Sequence, residues 1–245
     1  MPLNELQRQR YARHINLAEI GETGQKKLLL SKVLVVGAGG LGSPAAFYLA
    51  AAGLGTIGLM DGDRVELSNL QRQLLHTTAS LGMKKTDSAL ERLEALDPGI
   101  CVEPYPFRLT KENAEEILEK YDFIIDATDN FESKFLVARA CHEAKKPYSH
   151  AGIRQFIGQT MTVVPGRSAC YRCLFDEEGA PVGGVPQGPL GALPGVIGSI
   201  QAAEAIKYLL GIGTPLTDAI LTCDLLTMTF RRIPVRRTPS CPLCS

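Results

Sequence analysis

Two segments near the front of the chain carry residues that could do chemistry together. Gly37-x-Gly39-x-x-Gly42 follows an apolar run at 33–36 and precedes a helix-like stretch at 44–52. Glycine there permits a tight turn and close backbone approach, and a helix start offers unpaired N–H groups to phosphate oxygens. Taken alone, its plain reading is an NAD-binding oxidoreductase. Asp61 closes the next apolar run, 56–60, where an acid can bind ribose hydroxyls. Asp63 and then Ser68-Asn69-Leu70-Gln71-Arg72 follow. A hydride-transfer enzyme has little need of Asn69 and Arg72 just beyond its ribose acid. Phosphoryl or adenylyl transfer does, because its transition state spreads negative charge over phosphate oxygens. Lys85, at a helix start, and Asp129, at the end of a later strand, would converge on the same crevice, Lys85 neutralising phosphate and Asp129 holding Mg²⁺. Each has a plainer reading: Lys85 beside Lys84 as a solvated pair, Asp129 and Asn130 as helix caps, Arg72 as a surface ion-pair partner. Their joint occurrence favours an enzyme that uses ATP on a carboxylate.

Four of the seven cysteines form two tight pairs, Cys170-x-x-Cys173 and Cys241-x-x-Cys244. The spacing lets two thiolates bind one tetrahedral ion, and two pairs complete a closed site suited to structural zinc. One pair alone could be a redox dithiol. A shared ion requires the tail to fold back onto the middle of the chain. Cys101, Cys141 and Cys223 read as buried hydrophobes.

The elements that must position these residues are legible as alternating segments. Strands are expected at 33–36, 56–60, 102–104 and 121–127, and helices at 3–13, 44–52, 86–96 and 110–118. The third of these helices would bury Leu90, Leu93 and Leu96 on one face. The pattern predicts a doubly wound, Rossmann-like, mainly parallel α/β sheet. After about residue 145, strand-like segments at 147–152, 159–164, 220–225 and 228–235 suggest an antiparallel C-terminal extension of it. A helix over 196–210 should end at Gly211. Residues 179–195, more than half Gly and Pro, read as a long mobile loop of the kind that carries function.

Composition excludes other classes. The 245 residues balance 26 Lys plus Arg against 26 Asp plus Glu, so no basic field points to nucleic acid or an anionic membrane. No apolar run approaches the roughly 18 residues of a membrane span, and the polar start lacks a signal-peptide pattern. With this cysteine usage, the cytoplasm is the expected compartment.

Taken in order, Arg10-Tyr11-Ala12-Arg13-His14, GAGGLG at 37–42, DGDRVELSNLQRQ at 61–73, ATDN at 127–130, CYRC at 170–173 and CPLC at 241–244 resemble the ThiF/MoeB/HesA group nearly end to end. These are the prokaryotic relatives of ubiquitin-activating enzymes. The resemblance implies an adenylyltransferase that uses ATP and Mg²⁺ on the C-terminal glycine carboxylate of a ubiquitin-like sulfur carrier, in thiamine or molybdopterin biosynthesis. It implies Gly40 against the nucleotide, Asp61 on the ribose, Asn69, Arg72 and Lys85 on the triphosphate, and Asp129 on magnesium. Arg13 would reach into the neighbouring protomer of a homodimer, and Cys170, Cys173, Cys241 and Cys244 would hold Zn²⁺. One adenylation unit is expected: a helical arm at 1–30, a nucleotide-binding half at 31–145, and a carrier-binding half at 146–245 with a crossover loop at 174–195. The carrier's carboxylate would attack the α-phosphorus of ATP, releasing pyrophosphate. A Gly-Gly tail has no side chains to obstruct a narrow channel, and the Gly/Pro loop would close over it.

The chain departs from members that capture the carrier on a loop cysteine. Residues 174–222 hold none, and the loop reads Val182-Gly183-Gly184-Val185-Pro186-Gln187-Gly188-Pro189-Leu190. The adenylate is therefore expected to pass to a separate sulfur donor, with Cys223 in the core. The sequence stops one residue after Cys244, so an appended rhodanese domain is not expected in it. The rival readings are the NAD-dependent oxidoreductase and a non-catalytic carrier-binding relative.

Overall fold

The computed structural model describes residues 2–176 and 188–244. Short apolar runs set its strands. Lys32–Val36 (β1), Thr56–Met60 (β2), Cys101–Tyr105 (β3), Phe123–Asp126 (β4) and Tyr148–Arg154 (β5) lie parallel in the order β3-β2-β1-β4-β5. Ile157–Val163 (β6), Ala219–Asp224 (β7) and Thr229–Pro234 (β8) continue the same sheet antiparallel. Along β1, Val33 and Val35 enter one apolar cluster while Leu34 and Val36 enter another. That is the two-residue period of a strand covered on both faces.

The helices are Glu5–Arg10 (α1), Ala12–Ile15 (α2), Gly21–Leu30 (α3), Gly42–Ala51 (α4), Lys85–Leu96 (α5), Lys111–Leu118 (α6), Phe131–Glu143 (α7) and Ala192–Leu210 (α8). Leu28 of α3, Leu49 of α4, Leu93 of α5 and Ile197 of α8 pack on the Val33 and Val35 side. Ile117 of α6 and Phe135 of α7 pack on the other, joined by Cys170, Tyr171, Cys241 and Cys244. Each fully buried side chain of this size contributes about 1.5–3 kcal/mol of transfer free energy. No helix among the described residues is long and apolar enough to cross a membrane.

Several elements differ from their sequence reading. The helix expected at 3–13 breaks at Tyr11, a buried residue whose hydroxyl donates to Asp97 over 2.6 Å. On α5 the buried face is Thr86, Ala89 and Leu93, whereas Leu96 is exposed. A three-residue and then a four-residue step, seven in all, keeps Thr86, Ala89 and Leu93 on one side of a 3.6-residue helix, and small residues fit where α5 crowds the sheet. Cys101 is exposed, because β3 is an edge strand; Cys141 and Cys223 are buried as expected. β5 is parallel to β4 (Ile124 opposite Tyr148), since α7 supplies a crossover; direction reverses only after Arg154, through Gln155 at φ +52°. α8 starts at Ala192, four residues before the expected 196. Pro194 fits within its first turn, where amides have no intrahelical acceptor, and Gly211 ends it at φ +73°. Residues 177–187 of the loop expected to close over the carrier tail lie outside the described residues.

Candidate active site

The strand order reverses direction between β1 and β4. The chain runs from β1 outward to β3, then returns to place β4 on the other side of β1. In such sheets a crevice opens outside the carboxyl ends of the two central strands. The glycine loop sits there. Gly37 holds φ +107°, and a methyl group on it would stand 2.6 Å from the carbonyl oxygen of Ala127. A methyl on Gly42 would stand 1.8 Å from the carbonyl oxygen of Gly37. No backbone acceptor among the described residues pairs with the amides of Gly39, Gly40 or Leu41, which precede the start of α4. Such a start is a ready anion cradle. Gly42→Ala should force this loop apart. The expected result is a loss of about 1–3 kcal/mol in a urea unfolding curve, together with weakened ATP binding by calorimetry.

Asp61 follows β2 and is tied to the loop from below. One carboxylate oxygen accepts from the Ala38 amide at 2.9 Å and the other from the Asp63 amide at 2.8 Å. Lys85, buried at the first position of α5, lies 3.1 Å from Asp63 and 3.7 Å from Asp61. Arg108 bonds Asp63 at 3.0 Å. Partial burial would raise the Asp63 carboxyl, yet hydrogen bonds from Arg108 and Lys85 bring it below the ordinary carboxylate range. The Arg108 guanidinium is held further into its charged form by the Asp63 hydrogen bond, with Asp61 and Asp129 adding to the field. Acids following β2 and β4 therefore act on one cation across the crevice.

The third wall is the segment around the turn Leu67–Asn69. Asn69 is buried and accepts from the Glu66 amide at 3.1 Å. The Arg72 guanidinium donates to the Ser68 carbonyl at 3.0 Å, and its Cγ lies 3.4 Å from where a Gly40 methyl would stand. Pro194 of α8 is 3.2 Å from the same point, and the Gln71 carbonyl crowds Gly191. Glycine loop, Arg72 segment and α8 start thus meet, with Leu70 half-buried between exposed Ser68 and Gln71. Asp129 is exposed beyond β4; Asn130 donates to it at 3.2 Å and caps α7 by accepting from the Ser133 amide at 2.8 Å. Arg13 is exposed on α2, which packs against α1 and α3, and makes no hydrogen bond or ion pair with the described residues. The structure thus gathers the expected set except Arg13.

Two residues went unnoticed in the sequence. His76 is buried, its Nε2 2.9 Å from the Ala38 carbonyl and its Nδ1 3.0 Å from the Ser88 hydroxyl. Burial lowers its pKa, so the neutral ring donates to the loop carbonyl and accepts from the serine. A lone histidine beside Leu74 and Leu75 offers no spacing by which to find it. Arg108 lies in an irregular stretch and is equally silent.

The four cysteine sulfurs of 170, 173, 241 and 244 all lie within 4.8 Å of one another, and none is in a disulfide. Sγ separations are 3.8 Å for Cys170–Cys173, 3.5 Å for Cys170–Cys241 and 3.4 Å for Cys173–Cys244. Sulfurs each about 2.3 Å from a shared ion would stand about 3.8 Å apart, so the set fits a tetrahedral thiolate metal site. The Thr238 amide also donates to the Cys173 sulfur at 3.4 Å, which helps a thiolate carry its charge.

A family model described as the ThiF family matches residues 11–243. The sulfur carrier protein adenylyltransferase of Thermus thermophilus is 48% identical over 244 residues, spanning 96% of this chain and 90% of that protein. The SAMP-activating enzyme E1 of Haloferax volcanii is 45% identical over 248 residues, spanning 100% of this chain and 91% of that protein. The crystal structure of E. coli MccB with ATP superposes with a TM-score of 0.84 at 24% identity, covering 96% of this chain and 74% of that one. That last likeness bears on the fold alone.

Proposed function

The chain belongs to the ThiF family, and on that premise we propose that it is an ATP-dependent adenylyltransferase acting on the C-terminal glycine carboxylate of a ubiquitin-like sulfur carrier. The observation that carries this reading is the meeting of an anion cradle with Asp61, Asp63, Lys85, Arg72 and Asp129 at one crevice. A nicotinamide enzyme has no use for Lys85 and Arg72 flanking the phosphate end, and a mere scaffold has no use for the whole set.

In this reading Asp61 and Asp63 receive the ribose and orient Lys85. The loop at 37–42 takes the phosphates on its amides, Gly40 closest to the nucleotide. Asn69, Arg72 and Lys85 bear on the triphosphate as the carrier carboxylate attacks the α-phosphorus and pyrophosphate leaves. Ser68, Leu70 and Gln71 set the position of that cationic wall. Little covalent help is needed; positioning and charge stabilisation supply most of the rate. Asp129 fits a magnesium site, being an exposed carboxylate whose charge acts on the same Arg108 as Asp61 and Asp63, and Mg²⁺ characteristically pairs one or two carboxylates with substrate phosphates. Bound there, the ion would neutralise charge on the phosphates. Asn130 holds the Asp129 carboxylate from behind. Arg13, exposed on its own protomer, is assigned to the crevice of the partner in a homodimer, and Cys170, Cys173, Cys241 and Cys244 to structural zinc.

One sheet face supports a protein substrate. Ile157 of β6 and Ile233 of β8 share the side that also carries Arg231, and the two isoleucines are 56% and 45% exposed. Met161, Val163 and Ile220 are buried elsewhere on this side, but its exposed end, with Asp224 opposite Ile157, offers apolar surface beside Arg231 on which a small carrier could rest. Its activated end would pass to a separate sulfur donor within the cytoplasm, since residues 174–222 hold no cysteine.

The test is ATP–pyrophosphate exchange with purified small carriers from the same genome that end in Gly-Gly. Exchange is expected with at least one of them, and none with the same carrier lacking its last two residues. Exchange indifferent to that truncation would defeat the proposal, as would tight binding of NAD in place of ATP.

A further inference from the structure

A charged cluster lies buried directly behind Asp129, and nothing above employs it. Asp126 ends β4, Lys134 sits one turn into α7, and His150 lies on β5; the three are 1%, 7% and 1% exposed. Pairing between β4 and β5 stops at Asp126 opposite His150. Just past that point the Lys134 ammonium donates to the Thr128 carbonyl and to the Ala151 carbonyl, each at 2.6 Å. A side chain thus takes over where the backbone ladder ends. The Asp126 carboxylate completes the grip: one oxygen accepts from the Thr128 amide at 3.1 Å and from its hydroxyl at 2.6 Å. The other accepts from His150 at 2.9 Å and lies 3.6 Å from Lys134. From the far side Gln201 of α8 donates to the Asp126 and Ser149 carbonyls, both at 3.0 Å. Most of these bonds end on Asp126 or Thr128, just before Asp129, and the remaining two tie the same side chains to Ser149 and Ala151 of β5.

Such a cluster is a poor device for stability alone. Apolar residues of similar volume commonly replace a buried ion pair at no loss, whereas breaking one is costly. Its particular quality is direction: three ammonium donors and two carboxylate oxygens admit one backbone path through Thr128. Burial alone would raise the Asp126 carboxyl, but Lys134, His150 and Thr128 hold it at about 2; burial likewise lowers the Lys134 ammonium, against the opposing pull of Asp126.

We propose that the buried Asp126–Lys134 pair is a positioning device that clamps Thr128 so that the next residue, Asp129, is aimed at the divalent cation carried by ATP. The inference rests on the reading of Asp129 as the magnesium carboxylate. Thr128 is the joint through which it acts, and no residue of the pair touches substrate.

The experiment measures ATP binding by calorimetry without carrier, in EDTA and again with Mg²⁺, and takes the ratio of the two affinities. Thr128→Val, which deletes the hydroxyl but keeps the branched shape, should lower that ratio about tenfold, the usual cost of losing a group that orients a metal ligand. Thr128→Ser, which keeps the hydroxyl, should restore it. Affinity in EDTA should be unchanged in both, whereas the melting temperature should fall in Thr128→Val alone, which leaves the buried Asp126 carboxylate short of a donor. Lys134→Met should act in the same direction; should it fail to fold, the threonine pair decides alone. Asp129→Ala separates the two claims. If it abolishes the magnesium effect while Thr128→Val retains the wild-type ratio, the clamp is overturned and the magnesium assignment stands. If Asp129→Ala leaves the magnesium effect intact, the assignment and the clamp fall together.

Discussion

Replacing Asp129 by Ala is expected to lower carrier-dependent ATP–pyrophosphate exchange by about a thousandfold, with the melting temperature held. The size follows from its task. Through the magnesium it would hold, the carboxylate counters phosphate charge that grows as the α-phosphorus is attacked, so its loss appears in rate as well as in ATP affinity. The unchanged melting temperature follows from its surroundings. Asp129 is exposed, and its recorded hydrogen-bond partner is the neighbouring Asn130 amide, at 3.2 Å. Asp129→Asn keeps an oxygen but not the charge, and should fall between the two. Exchange within about tenfold of the wild-type rate in the alanine variant would remove Asp129 from the reaction.

Cys241→Ser is expected to release the metal and to lower stability by more than about 3 kcal/mol, close to 10 °C in melting temperature for a chain of this length. The thiolate set joins the segment after β6 to the segment after β8. Cys170 and Cys241 are also part of the apolar cluster that holds Phe135 and Tyr148, so a loosened tail uncovers the core as well as the site. Metal analysis of the purified protein should give one zinc per chain for the wild type and none for the variant. A dithiol pair with a redox role would instead leave the variant metal-free and equally stable, which would overturn the assignment. Slow chelation of the wild type should reproduce the loss of stability.

Sequence legibility followed the range of the interactions. The strands β1 and β2 and the helix between them are specified by a continuous apolar run, a glycine turn and a second run, all local, and they appear where the pattern put them. The Gly37, Asp61, Lys85 and Asp129 set was readable because each stands at a strand or helix end, and the parallel order brings those ends together. The two cysteine pairs were readable for the same kind of reason, since paired spacing implies a shared ion. What escaped depends on packing across elements. Leu96 looked like core until α5 met the sheet, and Cys101 until β3 proved to be an edge. His76 and Arg108 reach the site from stretches without periodicity. Lys134 reads as one more charged residue of a helix; only the fold shows it buried beneath the turn that presents Asp129.

The imidazole between Ala38 and Ser88 has a kinetic corollary. It rivets the phosphate cradle to the same helix that bears Lys85, through neutral bonds sheltered from water. Cradle and lysine therefore travel as one rigid piece, already shaped before any ligand arrives. Nucleotide capture should accordingly resemble a key entering a cut lock, with association following a single exponential phase whose rate rises linearly with ATP concentration.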